Sequence, residues 1–334
     1  MFYNPAMAGD RDIAVAFAIA WSRTSGGRRA GWEVAAATGV RGLRLLNESG
    51  AFDRFLLTEA NPEAALVLAR NASRFPGARS ACLDGREPPE ESGFDYVDID
   101  PYGSPVPFVP AAFRALRPGG ILAVTATDMM VLAGVQKGAC ERRYGARPIR
   151  GRLGPEGGLR ILLAYLAREA RARGRAARPL LAYSRDHHVR AYLEVRPSAE
   201  LPAEDPVSRI DLETWSGPLL EGPGPYGPLW TGPLFDAALV ESLRLPPTAA
   251  RPSEAGRFLE RLRGETAADR PFYYESNRLA RELHLLRPPS MEFLLATLHA
   301  QGFRAARTHA RAEGFRTDAP RSVVEAVARG TDVR

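Results

Sequence analysis

Lysine is almost missing from this 334-residue sequence: Lys137 is the only one among 45 basic residues, and the rest are arginine. Cysteine is nearly as scarce. Cys82 and Cys140 are too few for a disulfide scaffold or a cysteine zinc site, and both are expected as small buried side chains. No apolar run approaches the roughly 20 residues that span a bilayer. The short run from Ile13 to Trp21 follows Asp10, Arg11 and Asp12, which does not suit a secretory signal. A cytoplasmic protein, off the membrane, is the expectation.

What is present is arginine-borne charge on an ordinary globular background. The chain is 45% hydrophobic and 25% charged, with a net charge of +6. A basic balance fits a polyanionic partner such as nucleic acid, although a codon bias toward arginine would leave the same mark.

Apolar runs alternate with helical patterns through the first 195 residues. "GWEVAAATG" (31–39), "FDRFLLTEAN" (52–61), "RSACLDG" (79–85), "FDYVDIDP" (94–101) and "ILAVTATD" (121–128) read as strands. Helices are predicted between them, including "GLRILLAYLAREARARG" (158–174). "PLLAYSRDHHVRAYLEVR" (179–196) reads as two strands around a polar turn. This predicts an α/β fold: a doubly wound, mostly parallel sheet with an antiparallel edge hairpin. The stretch 197–240 is rich in proline and glycine and is expected to be irregular, with Trp215 and Trp230 as anchors. After residue 245 the pattern changes to amphipathic helices and a hairpin. Two domains are therefore expected, 1–244 and a small C-terminal α/β domain over 245–334.

In an open α/β sheet the ligand lies beyond the carboxyl ends of the strands. Those ends carry "ATGVRG" (37–42) with Gly39 and Gly42, then Glu59, then Asp84, then Asp100-Pro101-Tyr102. An acid about 20 residues after a glycine turn is placed for ribose hydroxyls. The turn lacks the full dinucleotide pattern. A nucleoside cofactor without a pyrophosphate, S-adenosyl-L-methionine, suits these ends better than NAD. The Asp-Pro-aromatic turn resembles the Asp/Asn-Pro-Pro-Tyr turn of amino-methyltransferases. A carboxylate there can accept an N–H of an exocyclic amine and take up its proton. The aromatic ring can stack on the base. Asp98 shares a strand face with Asp100. It is expected to shape the turn through backbone hydrogen bonds, on the cofactor side of the site.

Several stretches together are specific: "FYNPAMAGDRDIAVA" (2–16), "ATGVRGLR" (37–44), "DYVDIDPYGSPVPF" (95–108), "LLAYSRDHHVRAYLEV" (180–195), "PFYYESNRLARELHL" (271–285) and "RTHARAEGFRTDAP" (307–320). In these the chain resembles the archaeal tRNA (guanine(26)-N(2))-dimethyltransferase family, in order and over essentially its whole length. The resemblance implies a class I (Rossmann-like) methyltransferase fold. It implies methyl transfer from S-adenosyl-L-methionine to N2 of a tRNA guanine, once or twice, by a monomer. Arg11 and Arg41 would contact the cofactor, with Glu59 on its ribose and Asp84 near its adenine. Asp100 would be the catalytic carboxylate beside Pro101, and Phe2 and Tyr102 would flank the guanine. Family members more often have phenylalanine at the Tyr102 position and carry a segment before the "FYNP" stretch, so Phe2 is expected at a loose end. Many also carry a cysteine cluster in the region of 197–230. This chain has no cysteine there, so no metal is expected. On the residues alone, an amino-methyltransferase for another nucleobase or a non-catalytic RNA-binding protein stays open.

The remaining candidates are weaker. His187 and His188 are expected as turn and surface residues. The arginines of "ERRYGARPIRGR" (141–152) are expected to meet RNA phosphates and those of 168–178 to be solvated. Arg307, Arg311 and Arg316 alternate along the last hairpin and suggest a second basic surface.

Overall fold

The computed structural model describes residues 3–23, 29–200, 206–220 and 224–330. Helix α1 (Ala8–Ser22) precedes strand β1 (Ala30–Val34), and α2 (Val40–Glu48), β2 (Arg54–Glu59), α3 (Pro62–Ala72), β3 (Ala78–Cys82) and β4 (Phe94–Ile99) follow. Then come α4 (Val109–Ala115), β5 (Leu116–Ala126), α5 (Met129–Leu132), α6 (Lys137–Tyr144), α7 (Gly154–Arg171), β6 (Arg175–Arg185) and β7 (His188–Pro197). Seven strands form one sheet in the order β3-β2-β1-β4-β5-β7-β6. The first five run parallel, and β7 joins β5 antiparallel. The predicted doubly wound sheet with an antiparallel edge hairpin is the observed one. Its central strands are buried on both faces, as parallel strands covered by helices must be.

Two local features differ from expectation. Strand β5 begins five residues early, at Leu116. Phe94 pairs with Leu116 but Tyr96 pairs with Ile121, so the strand absorbs Pro118-Gly119-Gly120 in a bulge. Cys82 is exposed whereas Cys140 is buried, because β3 is the sheet edge and pairs only with β2.

The proline-rich stretch contains a short antiparallel pair, β8 (Val207–Ile210) and β9 (Tyr226–Trp230). Trp230 and Trp215 donate to the carbonyls of Pro233 and Pro218, and the Trp215 ring stands edge-on to Phe272. Beyond it lie α8 (Ala237–Ser242), α9 (Pro252–Thr266), β10 (Tyr274–Glu275), α10 (Ser276–Glu282), α11 (Met291–Ala300), β11 (Ala305–Arg307), β12 (Gly314–Thr317) and α12 (Arg321–Arg329). The expected hairpin is β11–β12, and β10 completes a three-stranded sheet.

Leu259 and Leu262 of α9 join the large core of the seven-stranded sheet. A second core is formed by Tyr274, Leu279, Leu294, Leu298, Phe315 and Val324 among others. Arg316 fastens the two. It is fully buried and bonds Glu156 of α7 at 2.9 and 3.0 Å, Glu265 of α9, and the Phe272 carbonyl. The expected surface role of Arg316 is therefore wrong: its strand partner faces lie inside, and two buried carboxylates claim it. Arg307 and Arg311 are exposed.

Candidate active site

The site begins at a strained turn. After β1 the chain passes Ala35 and Ala37 at φ 56° and 48°, then Gly39 at φ 77°, and enters α2. Non-glycine residues in this region mark a backbone held for a purpose. A Cβ on Gly39 would lie 2.6 Å from Leu68 Cδ1, so both φ and space demand glycine. Gly42 approaches Glu33 equally closely and donates to its Oε2 at 3.0 Å. Glu59, at the end of β2, fixes the same turn. Its Oε2 accepts from the Ala37 N–H at 2.9 Å and its Oε1 from Asn61 at 3.0 Å. Each oxygen keeps capacity for a further donor. Asp84 follows β3, half exposed and held ionised by Arg86.

Asp100 ends β4 and receives Arg41 Nη2 at 2.5 Å, with a quarter of its side chain open. Burial would raise its carboxyl, but Arg41 and then Arg190 outweigh that and bring it to about 2. Arg41 is 4% exposed, and its Nε and Nη1 are buried without a partner among the described residues. Pro101 is buried, and Tyr102 is 96% exposed. The Gly103 N–H donates to Thr127 Oγ1 and the Thr127 N–H to the Gly103 carbonyl, and Ser104, Tyr144 and Asp128 form a hydroxyl–carboxylate chain below them. The loop after β4 is thus tied to the loop after β5.

Arg11 comes from α1, buried, with Nη2 on the Asn4 carbonyl and its guanidinium over the Tyr3 ring. Phe2 lies outside the described residues.

Asp98 differs from expectation. It is fully buried, and its oxygens meet Arg190 at 2.7 and 2.6 Å and the Tyr96 hydroxyl at 2.8 Å. It shapes no turn through the backbone. A carboxylate inside a sheet needs a counter-charge, and Arg190 on β7, two strands away, supplies it. Arg190 also reaches Thr125. His188 is likewise buried rather than superficial. It begins β7, and its Nε2 lies 3.2 Å from Asp10. His187 is exposed, as expected.

Reasoning from the sequence overlooked Arg190, Tyr192 and Glu33. An arginine inside the apolar run "HVRAYLEV" and a glutamate inside "GWEVAAA" were the available signals, because each requires burial of a charge. Burial, followed by the nearby Asp98, raises the Glu33 carboxyl to about 8, although Arg41 and the Gly42 N–H pull it back. The Tyr192 hydroxyl is buried and unpartnered among the described residues.

The orphaned nitrogens of Arg41, the close-packed Gly39 turn and the spare capacity of Glu59 fit a ligand bearing both a carboxylate and ribose hydroxyls. That is the donor and acceptor set of S-adenosyl-L-methionine. Among the described residues no group of three or more His, Cys, Asp or Glu is placed to hold a metal, and no helix is long and apolar enough to cross a membrane.

Comparison with known proteins agrees with the geometry. The family model for N2,N2-dimethylguanosine tRNA methyltransferases matches residues 1–209 and 221–329. The tRNA (guanine(26)-N(2))-dimethyltransferase of Thermococcus kodakarensis is 36% identical, over 98% of this chain and 92% of that protein. The one from Aeropyrum pernix is 34% identical, over 98% and 89%. A solved structure of Trm1 from Pyrococcus horikoshii with S-adenosyl-L-methionine superposes with a TM-score of 0.81 at 30% identity, covering 98% of this chain and 94% of that one. With its strand-end turn, its Asp-Pro-Tyr loop and its matched length, this chain belongs to the N2,N2-dimethylguanosine tRNA methyltransferase family.

Proposed function

We propose that this protein is a tRNA (guanine(26)-N(2))-dimethyltransferase, transferring methyl groups from S-adenosyl-L-methionine to the exocyclic N2 of a guanine in tRNA. The family match supports the activity, and the observation that carries the chemistry is the Arg41–Asp100 pair at the end of β4.

The exocyclic amine of guanine is a weak nucleophile because its lone pair is delocalised into the ring. Asp100 accepts one of its N–H bonds, which draws the lone pair toward the nitrogen. With its carboxyl at about 2, Asp100 is ionised before substrate arrives. It stabilises the positive charge that develops on N2 and receives the proton only once the nitrogen has become strongly acidic. Pro101 confines Asp100 to extended backbone and so aims its carboxylate. Tyr102, exposed beside it, stacks on the base. Arg11, Gly39, Arg41, Glu59 and Asp84 hold the cofactor, which supplies an electrophilic methyl on a sulfonium when bound. Asp98 contributes from beneath, through Arg190. One site serves both transfers, since the monomethylated amine still carries an N–H for Asp100.

Residues 1–244 form the catalytic unit and 245–334 a unit that engages the tRNA. The separate core around Leu294 and Phe315 supports a distinct C-terminal unit, while α9 packs into the core of the large sheet. We read the protein as a cytoplasmic monomer without a metal, which size-exclusion chromatography and metal analysis of the purified protein would check. Methylation of unmodified tRNA transcripts, with products mapped by position and methyl number, tests the activity. Absence of N2-methylated guanosine would sink it.

A further inference from the structure

The rim of the site carries an apolar tip that the chemistry above leaves unused. Met130 and Val135 are 57% and 55% exposed, and Tyr102 nearby is 96% exposed. Large apolar side chains on a rigid rim ask for a partner. The tip is built rigidly from beneath. Val131 and Leu132 of α5 are buried in the main core. The Gln136 N–H returns to the Met130 carbonyl at 2.8 Å, which closes one short loop carrying both Met130 and Val135. Gly134, at φ 85°, packs against the Ile149 carbonyl, and Arg150 Nε donates to the Gly134 carbonyl at 3.0 Å.

The tip is also tied to the catalytic loop. Gly103 donates to Thr127 Oγ1 at 2.7 Å, and Thr127 N–H donates to the Gly103 carbonyl at 3.0 Å. Tyr102 is one residue from this double link and Met130 is three. Tyr144 joins Ser104 to Asp128 at 2.9 Å on each side, so the two loops are cross-linked by hydrogen bonds. Behind the tip, α6 exposes Lys137 and Arg142, cations suited to a phosphate backbone.

An occupant follows from this arrangement. A guanine inside a folded tRNA is stacked on its neighbours, and its amine reaches Asp100 only after leaving the stack. Apolar side chains, methionine among them, fill or open such base steps. We propose that Met130, backed by Val135, is a wedge that enters the tRNA stack at the position vacated by the target guanine while Tyr102 receives the base. The inference rests on the tRNA methyltransferase activity proposed above and deepens it. Met130 and Val135 are positioning residues, since they act through the conformation of the RNA rather than on the reacting atoms.

2-Aminopurine in place of the target guanine keeps the exocyclic amine and brightens when it unstacks. Wild-type protein, mixed with such a tRNA and S-adenosylhomocysteine, is expected to raise the fluorescence. The Met130→Ala, Val135→Ser double variant is expected to bind the tRNA but to leave it dim. On unsubstituted tRNA its kcat/KM is expected to fall about tenfold, a part of the cost of unstacking one base step. Met130→Leu restores both readouts. On a transcript whose target guanine is already unstacked in a bulge, the deficit of the double variant shrinks. Wild-type brightness and rate in the double variant, or an equal deficit on both transcripts, would overturn the wedge. Both side chains are exposed, so their replacement spares the core. Failure of the wild-type protein to make N2-methylguanosine would instead sink the activity, and the fluorescence arm would still read the wedge.

Discussion

Arg41 gives one guanidinium nitrogen to Asp100 at 2.5 Å and keeps its other two buried without a partner among the described residues. The same side chain therefore holds Asp100 ionised and keeps donors for a ligand. In the proposed mechanism a single residue spanning both tasks would couple cofactor binding to the readiness of Asp100.

Asp100→Asn removes the proton acceptor while keeping the shape. Methyl transfer to tRNA is expected to fall by about 10²–10⁴-fold, the usual contribution of a positioned base. S-Adenosyl-L-methionine binding, measured by calorimetry, should persist. A wild-type rate in the variant would remove Asp100 from the mechanism.

The pH dependence follows from the Arg41 pair. Asp100 stands at about 2, so it places no acid limb on kcat/KM near neutrality. In Arg41→Met, burial is opposed chiefly by Arg190, and an acid limb is expected to move up toward neutral pH. For stability the sign is that of a depressed acid. The pair stabilises the fold above the unfolded value of about 3.9, and this is lost as pH falls through about 2. A pH–rate profile unchanged in Arg41→Met would contradict the assignment.

Tyr102 is exposed and makes no described hydrogen bond through its hydroxyl, so its ring is the useful part. Tyr102→Phe is expected to keep the rate. Tyr102→Ala should weaken tRNA methylation by about 1–3 kcal/mol, the value of one aromatic–base stack. Steady-state kinetics on one transcript compares the two.

Arg316→Met takes the shared arginine from Glu156 and Glu265 and leaves Glu156 to Arg160 and Glu265 to His309. Both carboxyls are now held below the usual range against the upward push of burial, Glu156 by Arg316 and Arg160 and Glu265 by His309 and Arg316. Breaking such a network from one side costs about 3–5 kcal/mol. Urea denaturation is expected to show that loss, and a variant as stable as wild type would mean that the carboxylates find other partners.

Glu33 is expected to report in the opposite sense. Its folded-state value of about 8 lies above the unfolded one, so the fold loses stability as pH rises from the ordinary glutamate range to about 8. Glu33→Gln, which still accepts from Gly42, should therefore gain thermal stability over wild type without ligand, and gain more at pH 8 than at pH 5. Parallel melting curves at both pH values would refute this.

Much of the fold was legible because its signals are local. "FDYVDIDP" reads as a strand from its apolar residues, and β4 is one, buried along its length. The glycines of "ATGVRG" announce a turn that only they can make. The bulge of β5 was not legible, since Pro-Gly-Gly ends most strands and only the pairing of Phe94 with Leu116 keeps this one going.

The sequence by itself determined the order of the strands of the large sheet, the strand-end acids and the Asp-Pro-Tyr turn, because these follow from periodicity and local backbone chemistry. Tertiary structure alone decided who neutralises whom. Asp98 and Arg190 are 92 residues apart, and Glu156 and Arg316 are 160 apart. Buried charge must be paired, but any of many arginines would satisfy that rule. Only the packed sheet places one of them within hydrogen-bond reach.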